Sequence, residues 1–186
     1  MLLPTLQSVH FFGGRSVVIA IIAILAAIIA PNAFKAIEKA KISRAIALMK
    51  TVKTAFLAYR ADTGQWPPDY NGYDPLGTFN ALLDDSGVSG WDGPYLENYG
   101  THPWGGGIGY FCLQDNAGWE NQSGCWLYLD DDKPGTGYAN NQAKIPYDSL
   151  LRIDELIDDN NTSNGSVREN LPGVPGELSY FMIETD

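Results

Sequence analysis

The sequence predicts an α+β fold in which one long N-terminal helix carries a small antiparallel sheet. Three observations lead there. An unbroken apolar run, VVIAIIAILAAIIA (Val17–Ala30), passes through Pro31 into a long amphipathic segment that reaches Tyr59. Short strand-like stretches follow, Gly109–Leu113, Gly124–Leu129 and Glu177–Glu184, set apart by turns rich in Gly, Pro, Asn and Asp. Two cysteines, Cys112 and Cys125, fall near facing ends of the first two stretches.

A chain of 186 residues holds one ordinary domain plus an extension. The division expected is 1–16 as a leader or processing region, 17–60 as a hydrophobic and then amphipathic helical stalk, and 61–186 as a globular head. Charge follows this division. Residues 1–60 carry eight Lys/Arg and one acid, whereas residues 61–186 carry four Lys/Arg and twenty-one acids, so the net −10 is split into +7 and −17. An acidic head lacks the basic footprint of a nucleic-acid binder.

The apolar run contains no charge, no Gly and no polar side chain. At fourteen residues it is short for a complete span of about twenty. A secretory signal is the alternative, but the alanines at 20, 23, 26, 27 and 30 never stand two apart, as a small-x-small cleavage site requires. Pro31 removes a backbone donor, so a kink or loosening is expected near Ala27–Pro31. Beyond it Ala45, Leu48, Val52, Ala55 and Tyr59 recur at helical spacing, broadened by Ile42, Ile46, Met49 and Phe56. This stripe is expected to face the head. Asp62-Thr63-Gly64 should end the helix, and Trp66-Pro67-Pro68 forbids its continuation. Further on, Thr78–Leu83 reads as a short helical piece, Asp130–Gly137 as a turn in which Asp130-Asp131-Asp132 is expected to be solvated rather than a paired-carboxylate acid/base site, Leu150–Ile157 as a short helix and Asp158–Gly165 as a polar loop.

Cys112 and Cys125 predict a disulfide, worth roughly 3 kcal/mol on the chain-entropy model and implying an oxidising compartment. Two buried free thiols are the alternative.

Three stretches resemble the type IV pilin and pseudopilin superfamily, most of all the major pseudopilin of type II secretion. They are Val17–Pro31, which is similar to the pilin stalk with its proline; Tyr59-Arg60-Ala61-Asp62-Thr63-Gly64-Gln65-Trp66-Pro67, similar to the helix exit; and Trp91-Asp92-Gly93-Pro94-Tyr95-Leu96 followed by His102-Pro103-Trp104-Gly105, similar to a pseudopilin loop. The resemblance implies a pilin-like fold and a structural subunit. Copies would polymerise through Val17, Val18, Ile19, Ile22, Leu25, Ala26, Ile28 and Pro31 into a helical filament. The partners implied are further copies of the chain, the inner-membrane assembly machinery, and the inner membrane itself before assembly. The filament would be extracellular or periplasmic. The front departs from the family: its Gly, Phe-Thr-Leu-Ile-Glu and methylated N-terminus have no counterpart in Met1–Ser16, where Val9 and His10 occupy the cleavage positions. Reading Val9–Gly14 one nucleotide later can restore Phe-Thr-x-x-Glu, so a local frame error in the gene is one expectation. Lys35, Lys39, Lys41 and Arg44 after the run would alone place the head in the cytoplasm; the cysteines and the resemblance place it outside.

No catalytic constellation is expected. His102 stands in a Gly-rich turn and reads as structural or solvated, and no Ser or Cys has a nucleophile motif. Asp158, Asp159 and Asn161 offer hard oxygens for calcium on a polar loop, although the run matches neither the EF-hand pattern nor the motif of calcium-holding pseudopilins. Five tryptophans, Trp66, Trp91, Trp104, Trp119 and Trp126, suggest a second reading, a membrane-anchored carbohydrate-binding module that does not polymerise. An extracellular hydrolase is a third.

Overall fold

The computed structural model describes residues 13–70, 79–113, 123–135, 141–169 and 176–184. Helix α1 spans Gly13–Thr63. It is followed by β1 (Ile108–Leu113), β2 (Gly124–Leu129), α2 (Tyr147–Ile157), β3 (Val167–Glu169) and β4 (Leu178–Glu184). The architecture is α+β and pilin-like. The chain divides into two compact units, Met1–Lys39 and Ala40–Asp186.

In the first unit the described residues belong to α1. The helix is not interrupted at Pro31. The expected loosening therefore does not break it, although the proline still leaves the Ala27 carbonyl without its usual donor.

In the second unit the remainder of α1 presents the expected stripe. Ile42, Ala45, Met49, Val52, Ala55, Phe56 and Tyr59 are buried, and Ile46 and Leu48 pack beside them. The helix ends as a glycine stop should. Gly64 takes φ +72°, and its N–H donates to the Arg60 carbonyl at 2.9 Å, satisfying one of the last open carbonyls.

The sheet order is β1-β2-β4-β3, and all neighbours are antiparallel. One face meets α1 through Ile108, Tyr110, Cys125, Leu127, Leu129, Leu178, Tyr180 and Met182. Phe56 meets Tyr110 edge-on, with ring centroids 4.7 Å apart. The other face carries aromatic rings: Trp126 packs on Phe181 at 4.7 Å and Phe111 on Tyr128 at 6.0 Å. Two glycines make room for this layer. A Cβ on Gly109 would stand 2.0 Å from the Tyr128 ring, and one on Gly124 would stand 2.2 Å from the Phe181 ring. Cross-strand pairing of a ring over a glycine fixes the register.

The structure corrects two expectations in this unit and adds one strand. Residues 79–84 form turns rather than a helical piece, and Thr78 lies outside the described residues. Asn80 is the reason. Its Oδ1 accepts the Leu82 N–H at 3.0 Å and the Tyr110 hydroxyl at 2.9 Å, and a side chain that captures its own backbone competes with helix. The Asp130–Asp132 triplet is not solvated: the three residues are 7%, 1% and 4% exposed. The three-residue strand β3 was not anticipated, because Val167-Arg168-Glu169 is too short to show an alternating pattern.

Candidate functional site

The front of α1 is apolar on every side. Its Val, Ile and Leu side chains from Val17 to Ile29, among them Val18, Ile19, Ile22, Leu25 and Ile28, are 51–67% exposed. Ala26 and Pro31 are exposed with them. Ala20, Ala23, Ala26, Ala27 and Ala30 interrupt the bulk with small surfaces that allow close helix approach. From Ser16 the helix is long and apolar enough to cross a membrane, by length and composition, with a mean hydropathy of 2.7 over an 18-residue stretch. A helix that is apolar all round requires lipid or other protein against it.

Cys112 and Cys125 are direct partners in the β1–β2 register and form a disulfide, their Cα atoms 4.1 Å apart. His102 is buried beside the turn that follows β2. Its Nε2 lies 2.7 Å from the Asp130 carbonyl oxygen, and its Nδ1 accepts the Trp104 N–H at 3.2 Å. These partners define a neutral ring with the proton on Nε2. Burial pushes its pKa down to about 4.

Two acidic clusters can be compared. In the first, the carboxylates of Asp130, Asp131 and Asp132 come together, and protein groups surround them. Asp130 Oδ1 accepts the Asp132 N–H at 2.7 Å, and Asp132 Oδ1 accepts the Asn141 N–H at 2.8 Å. Lys144 Nζ stands 3.7 Å from Asp131 Oδ2. Burial raises the Asp130 carboxyl to about 6. It also raises Asp131, which Glu177 and Lys144 pull back.

The second cluster joins Asp154, on α2, to Asp158 and Asp159 just beyond it. Of the residues expected to hold calcium, Asp158 and Asp159 are thus brought together. Asn161 lies in the same loop, where its Oδ1 accepts the Ser163 N–H at 3.3 Å and its own N–H donates to Asp159 Oδ1 at 2.9 Å. Asp158 Oδ2 accepts the N–H groups of Ser166 and Val167. Asp154 was missed from the sequence. It is 0% exposed, and neither of its carboxylate oxygens has a hydrogen-bond partner. Burial first, then the charges of Asp159 and Asp158, raise its pKa to about 6, against a lowering influence from the Asn161 backbone N–H. The signal was present: Leu150, Ile153, Asp154 and Ile157 share the apolar spacing of one helix face. An acid on that face has to be explained.

The described tryptophans pack onto turns and strands. Trp126 is buried. The Trp91 ring N–H donates to the Ala81 carbonyl at 3.0 Å, Arg60 stacks over Trp66 at 4.7 Å, and Lys41 stands over Trp104 at 5.9 Å. Trp119 and His10 lie outside the described residues.

Residues 36–122 match the family model described as PilW, C-terminal. Comparison with curated proteins and with solved structures gave no match. The matched segment runs from the amphipathic part of α1 through β1 and Cys112. The long N-terminal helix, the small antiparallel sheet and this match together fit a pilin-like protein, similar over residues 36–122 to a family of type IV pilus biogenesis.

Proposed function

We propose that the chain is a structural subunit that polymerises through the front of α1 into a helical filament, either a type IV pilus or a secretion pseudopilus. The observation that carries this reading is the all-round apolar surface of Val17–Ile29. Lipid covers that surface before assembly, and neighbouring copies of the same helix cover it afterwards. Each buried aliphatic side chain contributes roughly 1.5–3 kcal/mol in either setting. Transfer from bilayer to filament therefore changes little of the gross term, and close packing at the alanines, together with the assembly machinery, decides the direction. The Cys112–Cys125 disulfide favours an oxidising location for the second unit, so the filament is read as periplasmic or extracellular.

The role is read as non-catalytic. Both ring nitrogens of His102 are engaged with backbone groups. The net charge of −10 disfavours a nucleic-acid partner.

Electron microscopy of sheared material from a host with a pilus machinery tests this reading. Filaments containing the full-length chain are expected, and Leu25→Asp should abolish them. A subunit that remains a bilayer-embedded monomer in that host overturns it.

A further inference from the structure

We infer that Asn164 is a site of spontaneous covalent modification: its side chain cyclises onto the Gly165 nitrogen, water is the co-reactant, and the product loosens β3. This inference is independent of the filament reading. It begins from the residue pair. Attack on a side-chain carboxamide by the next backbone nitrogen is hindered by a Cβ on the residue that carries the nitrogen, and glycine has none. Among the described asparagines only Asn164 precedes a glycine. Asn80, by contrast, precedes Ala81 and is buried.

The fold supplies the geometry. The Asn164 side chain is turned back on its own main chain, so that the Gly165 N–H donates to its Oδ1 at 2.8 Å. The carbon bonded to that oxygen, Cγ, therefore stands beside the nitrogen that must attack it. Both sides of the pair are held. The Asn164 N–H donates to the Asn161 carbonyl at 2.9 Å. The Gly165 carbonyl accepts the Arg168 Nε–H at 2.7 Å, and Asp158 Oδ2 accepts the Ser166 N–H. Holding two reacting groups together in this way lowers the barrier of an intramolecular step. Asn164 is also exposed, so hydroxide and water reach it. Asn161 is the contrast in the same loop. Its Oδ1 turns to the Ser163 N–H, two residues on, at 3.3 Å, and the β-branched Thr162 follows it.

The chemistry balances without an oxidant or reductant. Hydroxide takes the Gly165 amide proton. The nitrogen's electron pair forms a bond to Cγ, the bond from Cγ to the side-chain nitrogen breaks, and ammonia leaves. The cyclic imide then adds water. Opening at Cγ leaves aspartate. Opening at the main-chain carbonyl leaves isoaspartate, in which the backbone runs through the side chain and is one carbon longer. Either product adds a negative charge to a loop that already carries Asp158 and Asp159. The longer backbone also shifts Gly165 away from the contacts made by Arg168 and Asp158. With only three residues paired to β4, β3 has little else to hold it.

The test incubates the full-length chain in detergent at mildly alkaline pH, beside a sample denatured in urea, and maps both by peptide mass spectrometry. The native chain should convert Asn164 to aspartate and isoaspartate, faster as pH rises, and leave Asn80 intact. Amide hydrogen exchange across Val167–Glu169 should become at least about tenfold faster in the converted chain. Asn164→Asp supplies the charge without the longer backbone, so freshly prepared it should keep β3 protected. Asn164→Gln, incubated in parallel, should neither convert nor loosen. An Asn164 that stays intact in the native chain overturns the proposal, whatever the denatured chain does. So does conversion to isoaspartate that leaves exchange in β3 unchanged. Filament formation plays no part in any of these outcomes.

Discussion

His102 Nε2 lies 2.7 Å from the carbonyl oxygen of Asp130, and this contact closes the Gly-rich turn onto the end of β2. The ring is neutral in the fold, with its pKa pushed down to about 4 by burial; unfolded it returns to about 6.5. Between those values the unfolded chain holds the extra proton, so stability falls as pH drops from about 6.5 to 4 and levels off below that. One such group contributes at most about 3 kcal/mol. The Asp130 carboxyl, raised to about 6, has the opposite sign: its protonated form is favoured in the fold, so it gains as pH falls through that value. The two partly cancel in the native chain. His102→Gln keeps a donor for the Asp130 carbonyl and removes one side of the balance. Denaturant unfolding in detergent should show the variant gaining on the wild type between pH 7 and pH 4. Parallel pH profiles would refute the assignment.

Reduction should loosen the edge of the sheet. Cys112 and Cys125 link register partners, and the bridge closes a loop of 13 residues in sequence separation. Loss of the cross-link should cost roughly 2–3 kcal/mol. Dithiothreitol is expected to lower the Tm of the wild-type chain and to leave a Cys112→Ser, Cys125→Ser double variant unchanged. A wild-type Tm indifferent to reductant would contradict this.

Gly106 should not tolerate a methyl group. A Cβ there would stand 1.9 Å from the Asp130 carbonyl oxygen and 2.2 Å from His102 Nε2. Both neighbours are held by hydrogen bonds, so Gly106→Ala should cost about 1–3 kcal/mol. Gly100→Ala is the control, because nothing lies within 4 Å of a Cβ at that position; it should be neutral or slightly stabilising. Equal effects at the two positions would show that the turn yields.

Periodicity made most of the fold legible. The Ala45–Tyr59 stripe, strand Gly124–Leu129 and the end of α1 at Thr63 stand where the residues predict them. Strand β1 begins at Ile108 and helix α2 at Tyr147, each slightly earlier than read. The misses are cases where tertiary pairing or a side-chain hydrogen bond outweighed local pattern. Val167–Glu169 becomes a strand only because β4 is there to pair with it. Asn80 diverts a helical-looking segment into turns. Asp130–Asp132 looks like a polar turn, and its burial depends on His102, Asn141 and Lys144, which are remote in sequence. In the second acidic cluster Asp158 and Asp159 were visible as clustered oxygens, while Asp154 was hidden in an apolar helix face whose stripe reads as core.

The front of α1 gives the remaining prediction. Ile22 is 60% exposed, near the middle of the apolar run. On insertion scales an apolar residue at a span's centre contributes about −0.5 kcal/mol and a lysine costs about +3. Ile22→Lys should therefore weaken membrane partitioning by about 3 kcal/mol, or about a hundredfold. The run is short, with Lys35 and Lys39 following it, so it has little apolar length with which to compensate. Leu57, in the second unit, is also exposed, at 48%, yet it lies outside the run. Leu57→Lys should leave partitioning unchanged and alter stability by no more than about 0.5 kcal/mol. The fraction of each variant that resists carbonate extraction from membranes measures the difference. Ile22→Lys should move to the soluble fraction, where circular dichroism will still report the sheet, because among the described residues none of the buried core precedes Ile42. Retention of both variants to the same extent would show that the apolar surface of the helix front is not what holds the chain in the bilayer.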